Sequence, residues 1–174
     1  GYPFIDACMR YLKNNGWINF RMRAMLVSFA SYQLWLDWKL TSKFLSKYFT
    51  DYEPGIHYSQ FQMQSGTTGI NTLRIYNPIK QSYDHDALGC FIKKWVPELS
   101  NVPIKYIHEP WTMTPIESKC LNFKIGKSYK DRIIDNKLST RLAKEKIWAV
   151  KKSLNAREEA KEIVKRHASM KRGR

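Results

Sequence analysis

Arg21 and Arg23 stand two positions apart in FRMRAMLVSF, a stretch otherwise rich in apolar residues. On a helix, residues two apart face different directions, so Arg23 is expected among the apolar neighbours. A buried guanidinium needs a carboxylate partner. Asp51 and Glu53, just beyond the next helical stretch, are the natural candidates. The plainer reading of such a pair is structural. The sharper one is that paired charges beside a bound ring set its protonation and redox state.

The segment from Glu53 to Gln64, EPGIHYSQFQMQ, brings carboxylate, imidazole, amide and aromatic groups together without a lysine. That mixture suits a planar ligand, stacked on its faces and hydrogen-bonded at its edges. His57 alone is more often a satisfied structural histidine. A metal reading is poor, because no other His or Cys stands at ligand spacing. A nucleophile triad is equally poor, because no serine sits in a strand-turn-helix elbow. Downstream, Arg74 and Lys80 with Asn71, Thr72, Tyr76 and Asn77 make a polar, mildly basic patch of the kind that contacts phosphates. An ordinary capped turn before Pro78 is the alternative. Of the six tryptophans, most are expected to pack the core. Trp38, following Asp37 at a helix end, permits an electron route from interior to surface, though spacing alone does not establish one.

Helices must position these groups. Pro3 suits a first turn and Gly16 a stop, with Phe4, Ile5, Cys8 and Leu12 at helical spacing between them. A second helix is predicted from near Asn19 to about Trp38, apolar nearly all round and so buried on most sides. A third is predicted from about Thr41 to Phe49. The polar, Gly-containing stretch 50–77 is long for a plain loop, which implies a functional segment with some helix inside. Short helices are expected after Pro78 and over about Asp86–Val96. Pro97, Pro103, Pro110 and Pro115 forbid long helices until about Lys137, and residues 138–170 read as an exposed, fraying helix. With no strand pattern and no repeat, the fold class is all-α. The charge divides the chain into 1–118 and a basic, mostly helical extension over 119–174.

Lys and Arg total 30 against 15 acids, a net charge of +15. Residues 119–174 hold 18 of the bases and 6 of the acids, net +12, which leaves only +3 for residues 1–118. The excess predicts a polyanionic partner, but most of it belongs to the extension. Cys8, Cys90 and Cys120 are far apart and fit neither zinc nor disulfide spacing. They imply a reducing compartment, the cytoplasm. The apolar run around 25–36 is too short and polar for a bilayer, so no membrane partner is expected. The chain opens on Gly1 and enters a helix at once, as a fragment with an upstream part would.

The blocks GYPFIDACMRYL, GWINFRMRAMLVSF, LWLDWK, FTDYEPGIHYSQFQMQSGTTG, RIYNP and FIKKWVPEL follow one another in this order. Together they resemble the C-terminal half of the FAD-binding domain of DNA photolyases and cryptochromes, over roughly residues 1–112. PIKYIHEPW is similar to the end of that domain. The resemblance implies a helical domain that holds FAD beneath a DNA-facing cavity. It implies blue-light-driven splitting of pyrimidine dimers in DNA (a deoxyribodipyrimidine photo-lyase, a carbon–carbon lyase) by a monomer. On its own, this part is expected to be inactive.

Residue by residue, Arg23 and Asp51 resemble the ion pair beside the flavin ring, and Glu53 an acid near its pyrimidine edge. His57 falls at the position facing the redox-active ring nitrogen, where photolyases often carry Asn. Phe61 stands where the flavin-proximal tryptophan of the photoreduction chain is usual, and Trp38 matches the next one outward. Met63 takes the place of an aromatic that contacts the lesion. Trp17, Arg21 and Arg74 match DNA-facing positions. Phenylalanine is much harder to oxidise than tryptophan, so Phe61 leaves room for a cryptochrome-type photoreceptor without repair activity, with Tyr58 or Trp35 as substitute relays. A flavin-free, nucleic-acid-binding helical fragment is the third reading.

Overall fold

The computed structural model describes residues 1–68 and 73–167. Helix α1 (Pro3–Asn15) begins on Pro3 and ends at Gly16, whose φ of 70° lets its N–H reach the Leu12 carbonyl at 2.8 Å. Phe4, Ile5, Cys8 and Leu12 are buried, as their spacing requires. α2 (Phe20–Ser28) is capped by Asn19, whose Oδ1 accepts from the Met22 N–H at 2.9 Å.

The second helix does not run on to Trp38. It widens into a π-helix over Phe29–Gln33, the chain reverses at Trp35 (φ 52°), and Trp38 is the first residue of α3 (Trp38–Ser46), capped by Asp37. The apolar pattern hid this break because Ser28, Ser31, Tyr32 and Gln33 are themselves buried. Two of these polar groups are matched from a distant segment. Gln33 Nε2 donates to the Tyr76 carbonyl at 2.7 Å, and Ser28 Oγ accepts from the Tyr76 N–H at 3.0 Å.

The polar stretch after residue 50 does contain a helix, α4 (Pro54–Gln64). Then come α5 (Pro78–His85), α6 (Cys90–Trp95), a 3₁₀ turn at Pro97–Leu99, α7 (Ile104–Ile107), a second such turn at Pro110–Thr112, and α8 (Pro115–Cys120). The prolines keep these pieces short. α1 lies against α6 and α5. Arg10 fixes the first contact with two bonds to the Glu98 carboxylate, at 2.7 and 2.8 Å, and one to the Trp95 carbonyl. Asp86 caps α6, accepting from the Phe91 and Ile92 N–H groups.

Packing continues across the 118/119 division. Phe123 and Tyr129 are buried in the same core as α1 and α2, Tyr129 donates to the Asp6 carboxylate, and Tyr2 Oη donates to the Ile134 carbonyl at 2.9 Å. The exposed basic part starts only with α9 (Asn136–Lys152). Even this helix is seated, with Asn136 and Ala143 buried and one face on the π-helix. Instead of one fraying helix there are two, because extended backbone at Ser153 separates α9 from α10 (Leu154–His167). Among the described residues there is no strand, and no helix is long and apolar enough to cross a membrane.

Candidate functional site

Arg23 reaches from α2 to the loop before α4. Its Nη2 donates to both oxygens of Asp51, at 3.0 and 3.1 Å, and its guanidinium lies 3.9 Å from the centroid of the Phe49 ring. The pair is only partly sheltered: the Arg23 side chain is 21% exposed and that of Asp51 47%. Arg23 Nε, however, is buried and has no partner among the described residues. Arg21 points outward and is exposed, as its offset from Arg23 requires.

Glu53 is not the partner of Arg23. It stands at the N-terminus of α4, where Oε1 accepts from the Gly55 N–H at 3.1 Å and Oε2 from the Ile56 N–H at 2.6 Å. Both oxygens thereby satisfy N–H groups that a helix start leaves open. This role was readable from Glu53-Pro54-Gly55, since Pro belongs at the first helical position.

His57 lies one turn into α4 and is only 5% exposed. Its Nε2 sits 3.0 Å from the Ser42 carbonyl, which can only accept, so that nitrogen carries the proton. The rings of Phe61, Tyr52, Phe49 and Tyr58 surround it, with centroids 4.6 to 5.8 Å away. Burial pushes its pKa below the ordinary histidine value, and the nearby Arg23 charge pushes the same way. The Ser42 bond and Asp51 oppose them. The imidazole is therefore neutral at pH 7. Sequence reasoning missed Ser42, Phe49 and Tyr52 as its surroundings. Only their contact across α3 and α4 brings them together.

Phe61 is 1% exposed, and its ring neighbour is His57. Trp38 is half-buried on α3 beside the Lys39 ammonium, and among the described residues it makes no ring contact with Phe61. Met63 is half-buried near the end of α4. Trp17 and Arg74 are exposed, while Asn71 and Thr72 lie outside the described residues.

Arg23, Asp51 and His57 thus come together where α2, α3 and α4 meet, with Glu53 holding α4 in place and Arg21, Trp17 and Arg74 on the outer surface. Among the described residues, Arg23 Nε, Ser42 Oγ and, one turn beyond His57, Gln60 Oε1 are buried without partners. A donor, a hydroxyl and an acceptor flanked by aromatic rings can grip the edge of a polar, planar ring. The apolar hollow between α1, α2 and α3 and the groove along α9 are lined by other residues. No group of acidic, His or Cys side chains that could hold a metal occurs among the described residues.

Comparison with known proteins identifies the family. Residues 1–149 match the family described as the FAD binding domain of DNA photolyase. A deoxyribodipyrimidine photo-lyase of Alkalihalophilus pseudofirmus is 36% identical over 138 residues, which cover 78% of this chain and 29% of that protein. A class III photolyase from Agrobacterium tumefaciens superposes with a TM-score of 0.81 at 32% identity, covering 88% of this chain and 32% of that one. For a Synechocystis cryptochrome the TM-score is 0.79 at 28% identity, with 83% and 30% covered. The chain therefore spans about 29% of the length of the photo-lyase it resembles, and it belongs to the family of the FAD binding domain of DNA photolyase.

Proposed function

We propose that this chain forms one wall of the flavin site, and part of the DNA-facing surface, of a light-driven enzyme that repairs pyrimidine dimers in DNA. The observation that carries this reading is the Arg23–Asp51 pair beside neutral His57, with Arg23 Nε left free, in a chain of the photolyase family. These residues fit FAD: a cation held by a half-exposed carboxylate, unpartnered polar atoms and aromatic flanks meet the needs of a polar ring system. FAD held there would supply the light-driven electron transfer that opens the dimer.

The chain's own residues have distinct tasks. Asp51 orients the Arg23 guanidinium beside the flavin edge. His57, held neutral by burial and oriented by the Ser42 carbonyl, adds no full charge beside the ring. Glu53 fixes the start of α4 and so the position of His57. Arg21 and Arg74 contact phosphates, Trp17 faces the DNA, and Met63 borders the flipped dinucleotide, whose extrusion is least costly when the bases are damaged. Trp38 is the outward relay for photoreduction. Phe61 interrupts the inner step, and Tyr58 can bypass it. The protein works as a monomer in the cytoplasm, where its three free cysteines stay reduced.

The test uses the protein that carries this chain, with its flavin fully reduced. Dimer-containing DNA is illuminated with blue light and its lesion content is measured. Loss of dimers is the expected result, whereas unchanged lesion content excludes repair of that lesion. Phe61 favours a second reading, a photoreceptor without repair. A flavin photocycle with no lesion loss is the outcome that reading predicts.

A further inference from the structure

α9 turns one face toward residues 75–77, and a groove of about 850 Å3 runs between them. Lys137, Arg141, Lys144, Trp148 and Lys152 line it from the helix side. They follow one another at intervals of four, three, four and four residues. At 3.6 residues per turn this keeps them within about 80° of the helix circumference, on a line about 22 Å long. All of them are exposed. The helix is seated by a different face, on which Asn136 and Ala143 are buried, with the π-helix as its neighbour. The basic face is therefore not used in packing.

The polar floor of the groove is already engaged. Asn136 Nδ2 donates to Asn77 Oδ1 at 3.3 Å, while its Oδ1 accepts from Gln33 Nε2 at 3.4 Å and from Thr140 Oγ1 at 3.5 Å. The Tyr76 N–H goes to Ser28 and its carbonyl to Gln33. These bonds hold α9 beside residues 75–77 and leave little with which to read base edges. What the groove offers is positive charge and one indole. Glu145 offsets part of the charge, 3.8 Å from Arg141, but both side chains are more than 60% exposed, where such a pair is weak. Among the described residues no acid pairs with Lys137, Lys144 or Lys152. Trp148, 55% exposed among these cations, separates the classes of polyanion. A duplex presents phosphates, but its base faces are stacked inside it. An unpaired strand presents phosphates and free base faces together, and a cationic groove carrying an exposed aromatic ring meets both.

We propose that this face of α9 is a groove for single-stranded nucleic acid, bound without regard to sequence. Lys137, Arg141, Lys144 and Lys152 meet successive phosphates, and a base stacks on Trp148. The groove uses none of Arg23, Asp51 and His57, and its existence does not rest on the repair reading.

The test titrates the complete protein that carries this chain, in the dark, with a fluorescein-labelled oligothymidine of about twelve nucleotides. Anisotropy follows binding, and the same strand annealed to its complement is titrated in parallel. Trp148→Ala should weaken strand binding about tenfold, the loss of one stacked base, and leave duplex binding unaltered. Trp148→Phe should recover part of the loss. Lys137→Ala combined with Lys144→Ala should lower the strand's salt slope by about 1.4, at roughly 0.7 for each phosphate contact. Because these side chains are exposed, the urea midpoints of the variants should stay in place. Their flavin content and dimer repair should also be unchanged, so this result and that of the repair assay are read separately. Trp148→Ala binding the strand as tightly as the unmodified protein overturns the proposal. So does an unchanged salt slope in the lysine variant, or a loss of equal size for strand and duplex, which would make α9 a duplex surface.

Discussion

His57 is in a setting that favours its neutral form, and this has a measurable thermodynamic consequence. Its pKa is lowered on folding, so the unfolded chain binds the proton more readily. The stabilisation from keeping it neutral is fully present above the unfolded value of about 6.5, and it is lost as pH falls from there through the folded value. Urea midpoints should therefore drop as the pH is lowered from about 7, and His57→Asn should flatten that slope. At Arg23 the expected effect is moderate. Loss of a fully buried partner costs about 3–5 kcal/mol, but Asp51 is nearly half exposed and water can take over part of its solvation. Arg23→Met should cost about 1–2 kcal/mol, read from urea unfolding, and should lower flavin occupancy in the complete protein. That Arg23 needs a carboxylate was legible from its apolar setting. Which carboxylate was not, because Asp51 and Glu53 are close in sequence and only the start of α4 separates their tasks.

Helix boundaries were legible wherever a cap or a proline marks them. Pro3 with Gly16, Pro54 and Pro78 all stand where the chain enters or leaves a helix. The break at Phe29–Gln33 was not legible, since it depends on Tyr76, more than forty residues away, supplying partners to Gln33 and Ser28. Nor was the seating of α9, which rests on Asn136 bonding to Gln33 and Asn77. Glu53 allows an element-scale test. If its carboxylate serves α4 as a cap, Glu53→Ala should destabilise the chain by about 1 kcal/mol. Glu53→Asp, also a good capping side chain, should recover most of that loss. Parallel urea titrations of the two variants check it, and equal losses would assign Glu53 to something other than capping.

For the molecule as a whole, charge and core follow different boundaries. The helical class and the family were readable from six ordered blocks. The continuation of the core to Tyr129 and Ile134 was not, because these residues stand among lysines and turns that look like a solvated tail. The most basic element is α9, with Lys137, Arg141, Lys144, Lys146, Lys151 and Lys152 against Glu145 alone. Arg74, exposed and outside that helix, belongs to the part of the chain with little net charge. The two sources of DNA affinity can therefore be separated by salt. Each phosphate contact contributes about 0.9 to the slope of log affinity against log salt. Arg74→Ala should lower that slope by about one and weaken damaged and undamaged duplexes alike, since a phosphate contact carries no sequence information. Lys137→Ala with Lys144→Ala, both on α9, tests the other source. If α9 lies along the duplex, the slope falls by about two; if the duplex meets only the face bearing Arg21 and Arg74, the slope is unchanged and the positive charge of α9 serves another purpose.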